Sequence, residues 1–159
     1  MCACPPDDDS SVATSTQPDD FDGRRPLTEQ QREELLDLPL TGVFSSITSA
    51  GWIHSVPMHF LPRDGELRMV AGRDSVKVRN VRRTGRATLC VATTVEAERR
   101  YVSAEGSIRI EDRVTQQDLD ALDRRYARES ADPATGAYDR SVTLVLRPER
   151  WIAWADSDD

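Results

Sequence analysis

Most β-rich runs in this 159-residue chain follow one another too closely for a crossover connection, so neighbouring strands must pair antiparallel. Residues 43–48 form one such run. Ser49, Ala50 and Gly51 turn it into a second, residues 53–60, with Pro57 inside it. A proline within a strand places that strand at a sheet edge, at a bulge or at a site where something else meets the backbone. Arg63, Asp64 and Gly65 are a hairpin turn leading into residues 67–71. Residues 101–110 alternate cleanly. Val102, Ala104, Ile108 and Ile110 fall on one side, with Tyr101, Ser103, Glu105 and Arg109 on the other. That period buries one face. Residues 87–93, 141–146 and 151–155 bring the expectation to about seven strands.

Three helical segments interrupt them. Residues 27–38 open with Thr28 and Gln31 in a capping-box spacing, carry Leu35, Leu36 and Leu38, and stop before Pro39. Residues 76–83 are a short helix that Ser75 or Asp74 can cap and Thr84-Gly85 can close. Residues 115–128 start on Thr115 with Asp118 and carry a Leu119, Leu122, Tyr126 stripe. A polar loop over 129–140 follows. The fold class is mainly β with α: a closed or nearly closed barrel with helices at its ends, and not a doubly wound parallel sheet.

The formal net charge of −7 belongs to the ends of the chain. Asp7, Asp8, Asp9, Asp19, Asp20 and Asp22 precede the first arginine, and Asp156, Asp158 and Asp159 close the sequence. The expected organisation is therefore an acidic tail over 1–26, one folded domain over 27–155 and an acidic end over 156–159. The tail has no basic and apolar leader pattern, and no run approaches membrane-spanning length. A cytoplasmic protein with no membrane partner is expected. The arginines are scattered without interleaved aromatics, which argues against nucleic acid. The three cysteines, Cys2, Cys4 and Cys90, make neither a disulfide framework nor a four-ligand metal set. No metal is expected, and Cys90 is read as a small core residue.

Of 21 basic side chains, Lys77 is the one lysine. It stands at the strand-to-helix junction Gly72-Arg73-Asp74-Ser75. Helix N-termini attract anions through free N–H groups and the helix dipole, and lysine adds a compact point charge. Ser75 offers a hydroxyl, Arg73 projects from the loop, and Asn80, three residues on, shares the Lys77 face. Together these could hold a phosphate. The same lysine is also what a solvated side chain in an arginine-biased composition looks like. No Walker loop or GxGxxG pattern is present. Arg79, Arg82, Arg83 and Arg86 form either a basic groove or an ordinary solvated face. His54 and His59 fall on opposite faces of one strand and cannot share a metal. No nucleophile elbow occurs, Glu96 and Glu98 read as loop charges, and no catalytic side chain is assigned. Trp151 and Trp154 read as barrel core, with Trp151 able to border a substrate pocket.

The order of helix, hairpin (53–60, IHSVPMHF), strand (67–72, LRMVAG) and helix start (75–83, SVKVRNVRR) resembles the flavin and deazaflavin split β-barrel superfamily over about residues 27–155. That superfamily includes pyridoxamine phosphate oxidase-like proteins and the deazaflavin (coenzyme F-420)-dependent reductases of actinobacteria. Lys77 to Asn80 and His54 to Pro57 are the pieces that carry the resemblance. It implies an FMN-binding type of split barrel and a homodimer with the cofactor in a groove between subunits. Ser75, Lys77 and Asn80 would hold the cofactor phosphate. Ala71 and Gly72 would lie along the ring system with Val56, Pro57 and Met58 opposite. Arg73 would reach a second acidic group or face water, and His54 and Trp151 would face the substrate. A glycine at 72 lets the backbone approach a flat ring.

The chain runs from Trp151 straight into aspartates, without the basic and aromatic C-terminal tail expected of a vitamin-B6 oxidase. The implied activity is hydride delivery from reduced coenzyme F-420 to a conjugated C=C bond of a small organic substrate, such as a late aromatic (tetracycline-like) polyketide antibiotic intermediate. An FMN-dependent oxidase or reductase, or a non-catalytic flavin- or haem-binding module, are the alternatives.

Overall fold

A computed structural model describes residues 24–93, 99–127 and 138–156. The chain order is β1 (Arg24–Pro26), α1 (Glu29–Asp37), β2 (Gly42–Ile47), β3 (Ile53–Met58), β4 (Leu61–Arg63), β5 (Glu66–Gly72), α2 (Val76–Thr84), β6 (Arg86–Ala92), β7 (Arg100–Glu111), α3 (Gln116–Arg125) and β8 (Ser141–Asp156). All pairings are antiparallel, in the order β3-β2-β6-β7-β8-β5-β4, with β1 added to the far end of β8. This is a split β-barrel.

Local chemistry explains most boundaries. Thr28 accepts from the Gln31 amide while the Gln31 side chain accepts from the Thr28 amide, so the capping box forms and starts α1. Asp64 and Gly65 both take positive φ, 53° and 75°, the geometry of a two-residue turn whose twist matches its flanking strands. Gly85 adopts the left-handed conformation (φ 63°) and ends α2. Pro57 lies in β3, which is an edge strand, so its missing N–H faces no neighbour on the outer side.

The inward faces of β2, β5, β6, β7 and β8 meet in one apolar cluster that includes Phe44, Met69, Leu89, Val102 and Leu144, closed by Leu35 of α1 and Val78 of α2. Val102, Ala104 and Ile108 are buried as the alternation in β7 requires. Leu119 and Leu122 of α3 are buried too, and α3 lies beside β4.

Several expectations need correction. β1 and β4 are strands of three residues, and the two expected C-terminal strands are one continuous β8. β1 falls inside the span assigned to the tail, and Arg24 pairs with Asp156 at 3.6 Å, so both expected tail boundaries cut into paired strands. Leu38 is the exposed C-cap of α1, not part of its apolar side. Cys90 points to the outer face of β6, half-buried, and burial pushes its thiol up. Residues 129–137 of the loop expected over 129–140, with Arg128, Glu96, Glu98, Cys2 and Cys4, lie outside the described residues.

The outer faces of β5 and β7 carry a charge network under α3. The Arg109 guanidinium holds the Glu66 carboxyl below the usual range, and Arg68 does the same for Glu111. Both carboxyls have a folded pKa below 4.5, so their contribution to stability is complete above that pH. It is lost as pH falls through the depressed folded values. Urea midpoints should therefore hold between pH 7 and 5 and fall below about 4.5, less steeply in Arg109→Gln. A pH-independent midpoint would contradict this.

Candidate functional site at the start of α2

β5 ends on Ala71 and Gly72, and Gly72 pairs with Ser141 of β8. The Ser75 amide donates back to the Gly72 carbonyl at 3.0 Å, which turns the chain into α2. Ser75 is the N-cap by backbone geometry, yet its side chain makes no capping bond, and its Oγ is buried without a hydrogen-bond partner. A buried hydroxyl left unmatched is uncommon and costs stability unless something meets it. The first-turn N–H groups of α2 also have no intrahelical acceptor. Lys77 stands among them, half-buried, with no carboxylate partner among the described residues. A methyl group added to Gly72 would meet nothing within 4 Å, so open space lies against the strand backbone there.

The other expected residues are placed differently. Asn80 lies on the side of α2 turned toward β2. Asn80 is only 6% exposed and donates to Ser46 Oγ at 3.0 Å, so it fastens α2 to the sheet. Arg73 turns away from α2 and binds Asp112 through both its carboxylate (3.0 Å) and its carbonyl (2.6 Å), so its charge is already met. Ala71 and Met58 point into the core, Val56 packs against it, and Pro57 faces outward.

His54 sits across from Ser46 in the β2–β3 pair, and its Nδ1 is buried without a partner. It is a second unmatched polar atom, across β2 from the Ser46 that Asn80 binds. His59 lies beyond β3, stacked on Tyr126 with ring centroids 3.9 Å apart, as a packed histidine. Trp151 packs against the core under the Arg32 guanidinium (4.5 Å). It lines a cavity of about 460 Å³ between α1 and the β4–β5 hairpin that contains no residue of α2. Trp151 and Lys77 therefore do not share a cavity within one chain.

Sequence reasoning missed one apolar cavity of about 420 Å³. It lies at the opposite end of α2, against Thr84, and its floor is Ile47, Ile53, Ala87 and Thr88. The outer faces of β2 and β3 continue from it: Val43, Ile47, Trp52 and Ile53 are all exposed, the last two by 75%. Their alternation with Phe44 and Ser46 is visible in the sequence, but only the structure shows that none of the described helices covers that side.

The start of α2 thus gathers the buried Ser75 hydroxyl, Lys77 and the first-turn N–H groups beside open backbone at Gly72. The family model for pyridoxamine 5'-phosphate oxidase matches residues 27–155, and the chain belongs to that family. Among solved structures, an F420 reductase superposes with a TM-score of 0.69 at 22% identity, covering 79% of this chain and 98% of that one. A conserved hypothetical protein from Mycobacterium tuberculosis gives 0.67 at 22%, covering 80% and 84%. A FAD-binding protein from Mesorhizobium loti gives 0.65 at 14%, covering 84% and 99%. No curated protein matches the sequence.

Proposed function

We propose that this chain is a reductase that uses coenzyme F-420 to reduce a conjugated C=C bond of a small organic substrate. The observation that supports it best is the unmatched Ser75 hydroxyl beside Lys77, which has no carboxylate partner among the described residues, next to open backbone at Gly72. These residues fit a cofactor that ends in a phosphate and carries a planar ring. Lys77, the Ser75 hydroxyl and the first N–H groups of α2 hold the phosphate. Gly72 admits the ring to the strand edge. When bound, the cofactor supplies the hydride; the protein's part is to position it and to exclude water. No side chain is assigned as proton donor, because solvent can protonate the product.

Asn80 acts indirectly in this reading. By holding α2 to Ser46 it fixes the helix start. Val56, Pro57 and Met58 are on the other edge of the sheet path from Ala71 and Gly72, so their part in ring binding needs a second copy of the chain. The uncovered face of Val43, Ile47, Trp52 and Ile53 suits such a copy. A monomer in sedimentation would remove this part of the reading. His54 and Trp151 are the proposed substrate contacts.

The test is a titration of the full chain with coenzyme F-420 and, separately, FMN, followed by turnover with conjugated acceptors, aromatic polyketide enones among them. Tighter F-420 binding with acceptor reduction is the expected result. Preference for FMN would move the protein to the flavin-dependent reading. Binding without turnover would leave a flavin-binding or haem-type carrier module.

A further inference from the structure

The outer side of α2 carries a second feature that the phosphate site does not use. Arg79, Arg82 and Arg83 are exposed, and α2 has no acidic residue in its first turn. Arg79 donates to the Asp74 carbonyl and Arg83 to the Ile47 carbonyl. Carbonyls satisfy the N–H groups but leave the positive charges unbalanced. None of these three arginines has a carboxylate partner among the described residues, whereas Arg68, Arg109 and Arg150 each find one. The nearest acids are already engaged, Asp74 with Arg140 and Glu149 with Arg86.

The complementary charge exists in the same chain. Asp7, Asp8, Asp9, Asp19, Asp20 and Asp22 lie in a segment with no basic residue. It joins the fold at Arg24, the first residue of β1. Asp9 is fifteen residues from that point, a reach of up to roughly 50 Å when extended. A domain of this size is about 40 Å across, so Asp7, Asp8 and Asp9 have the length of chain to reach α2, while Asp19, Asp20 and Asp22 stay within roughly 20 Å of Arg24.

We infer that the acidic N-terminal segment docks on the Arg79, Arg82, Arg83 face of α2 in the ligand-free protein and competes there with a polyanionic end of the ligand. The second half rests on the proposed F-420 reading, because that coenzyme carries a chain of glutamates and FMN does not. The segment then acts as an internal competitor that weakens binding of the glutamate-bearing cofactor. Exposed ion pairs are weak singly and screened by salt, so the contact depends on several charges acting together at moderate ionic strength.

The experiment replaces all six aspartates (7, 8, 9, 19, 20 and 22) by asparagine in the full chain. Amide resonances of residues 76–84 are compared with wild type without ligand, at low and at high salt. The expected result is a shift confined to α2 at low salt that vanishes at high salt. F-420 should bind the six-asparagine chain roughly five- to tenfold more tightly, the low end of couplings between linked sites, with FMN affinity unchanged. Unmoved α2 amides would overturn the docking, and equal F-420 affinity would overturn the competition. If neither cofactor binds either chain while the α2 amides still respond, the cofactor reading fails and the docking stands.

Discussion

Gly106→Ala is expected to abolish stable folding. Gly106 sits in β7 opposite Pro148, at the register shift that leaves Glu149 without a partner residue in β7. A Cβ built there would lie 2.0 Å from the Arg147 carbonyl oxygen and 2.9 Å from the Glu149 amide. Both are backbone atoms of β8, so no rotamer change relieves the overlap. The two strands must part. β7 and β8 form the longest ladder of the sheet and hold its two halves together. The loss should exceed about 4 kcal/mol, beyond the usual range for a single substitution and a large share of a typical 5–15 kcal/mol total. Gly72→Ala is the control. Its Cβ enters open space, so the denaturation midpoint should stay near wild type while cofactor affinity falls. A wild-type urea midpoint for Gly106→Ala would show that the β7–β8 contact is not as close as described.

Asp118→Ala should cost about 3 kcal/mol, the low end for breaking a buried ion pair by removing one partner. Its side chain is 1% exposed, and it accepts from Arg63 at 2.6 Å and from Arg68 at 3.0 and 3.2 Å. The three residues come from α3, β4 and β5, so one carboxylate ties the helix to the hairpin. Removing it strands two guanidinium groups. Arg68 keeps Glu111, which is why the low end is expected. Arg63→Ala in the Asp118→Ala background should then cost little more, because the coupling is already gone. Additive losses in the double variant would deny that the pair acts as a unit.

Asp118 also marks a limit of sequence reading. Its spacing from Thr115 announced a helix start, and Thr115 does accept from the Asp118 amide. The buried destiny of its carboxylate depends on Arg63 and Arg68, some fifty residues away in the chain. Local signals behaved well where the physics is local: the Thr28–Gln31 box, the Asp64-Gly65 turn and the Gly85 cap are each decided within four residues. β1 failed for the opposite reason. Arg24, Arg25 and Pro26 have no strand pattern of their own and are extended only because β8 offers an edge.

At the site, the turn from β5 into α2 was legible, since Gly72 and Ser75 carry a local backbone argument. Asn80 was harder. Spacing gives it the Lys77 side of α2, but spacing does not say which side faces the sheet, and Asn80 is buried against Ser46. Arg73 looked free because its partner, Asp112, lies thirty-nine residues further on.

The central claim is that the start of α2 anchors an anionic cofactor through Lys77. The most direct measurement is the affinity of full-length Lys77→Ala for coenzyme F-420 beside wild type, with the urea midpoint taken on the same samples. The account predicts an unchanged midpoint and binding weaker by about 1.5–3 kcal/mol, roughly ten- to a hundredfold, the range for a hydrogen bond to a charged group. Equal affinity in the two proteins, with both folded, would contradict it.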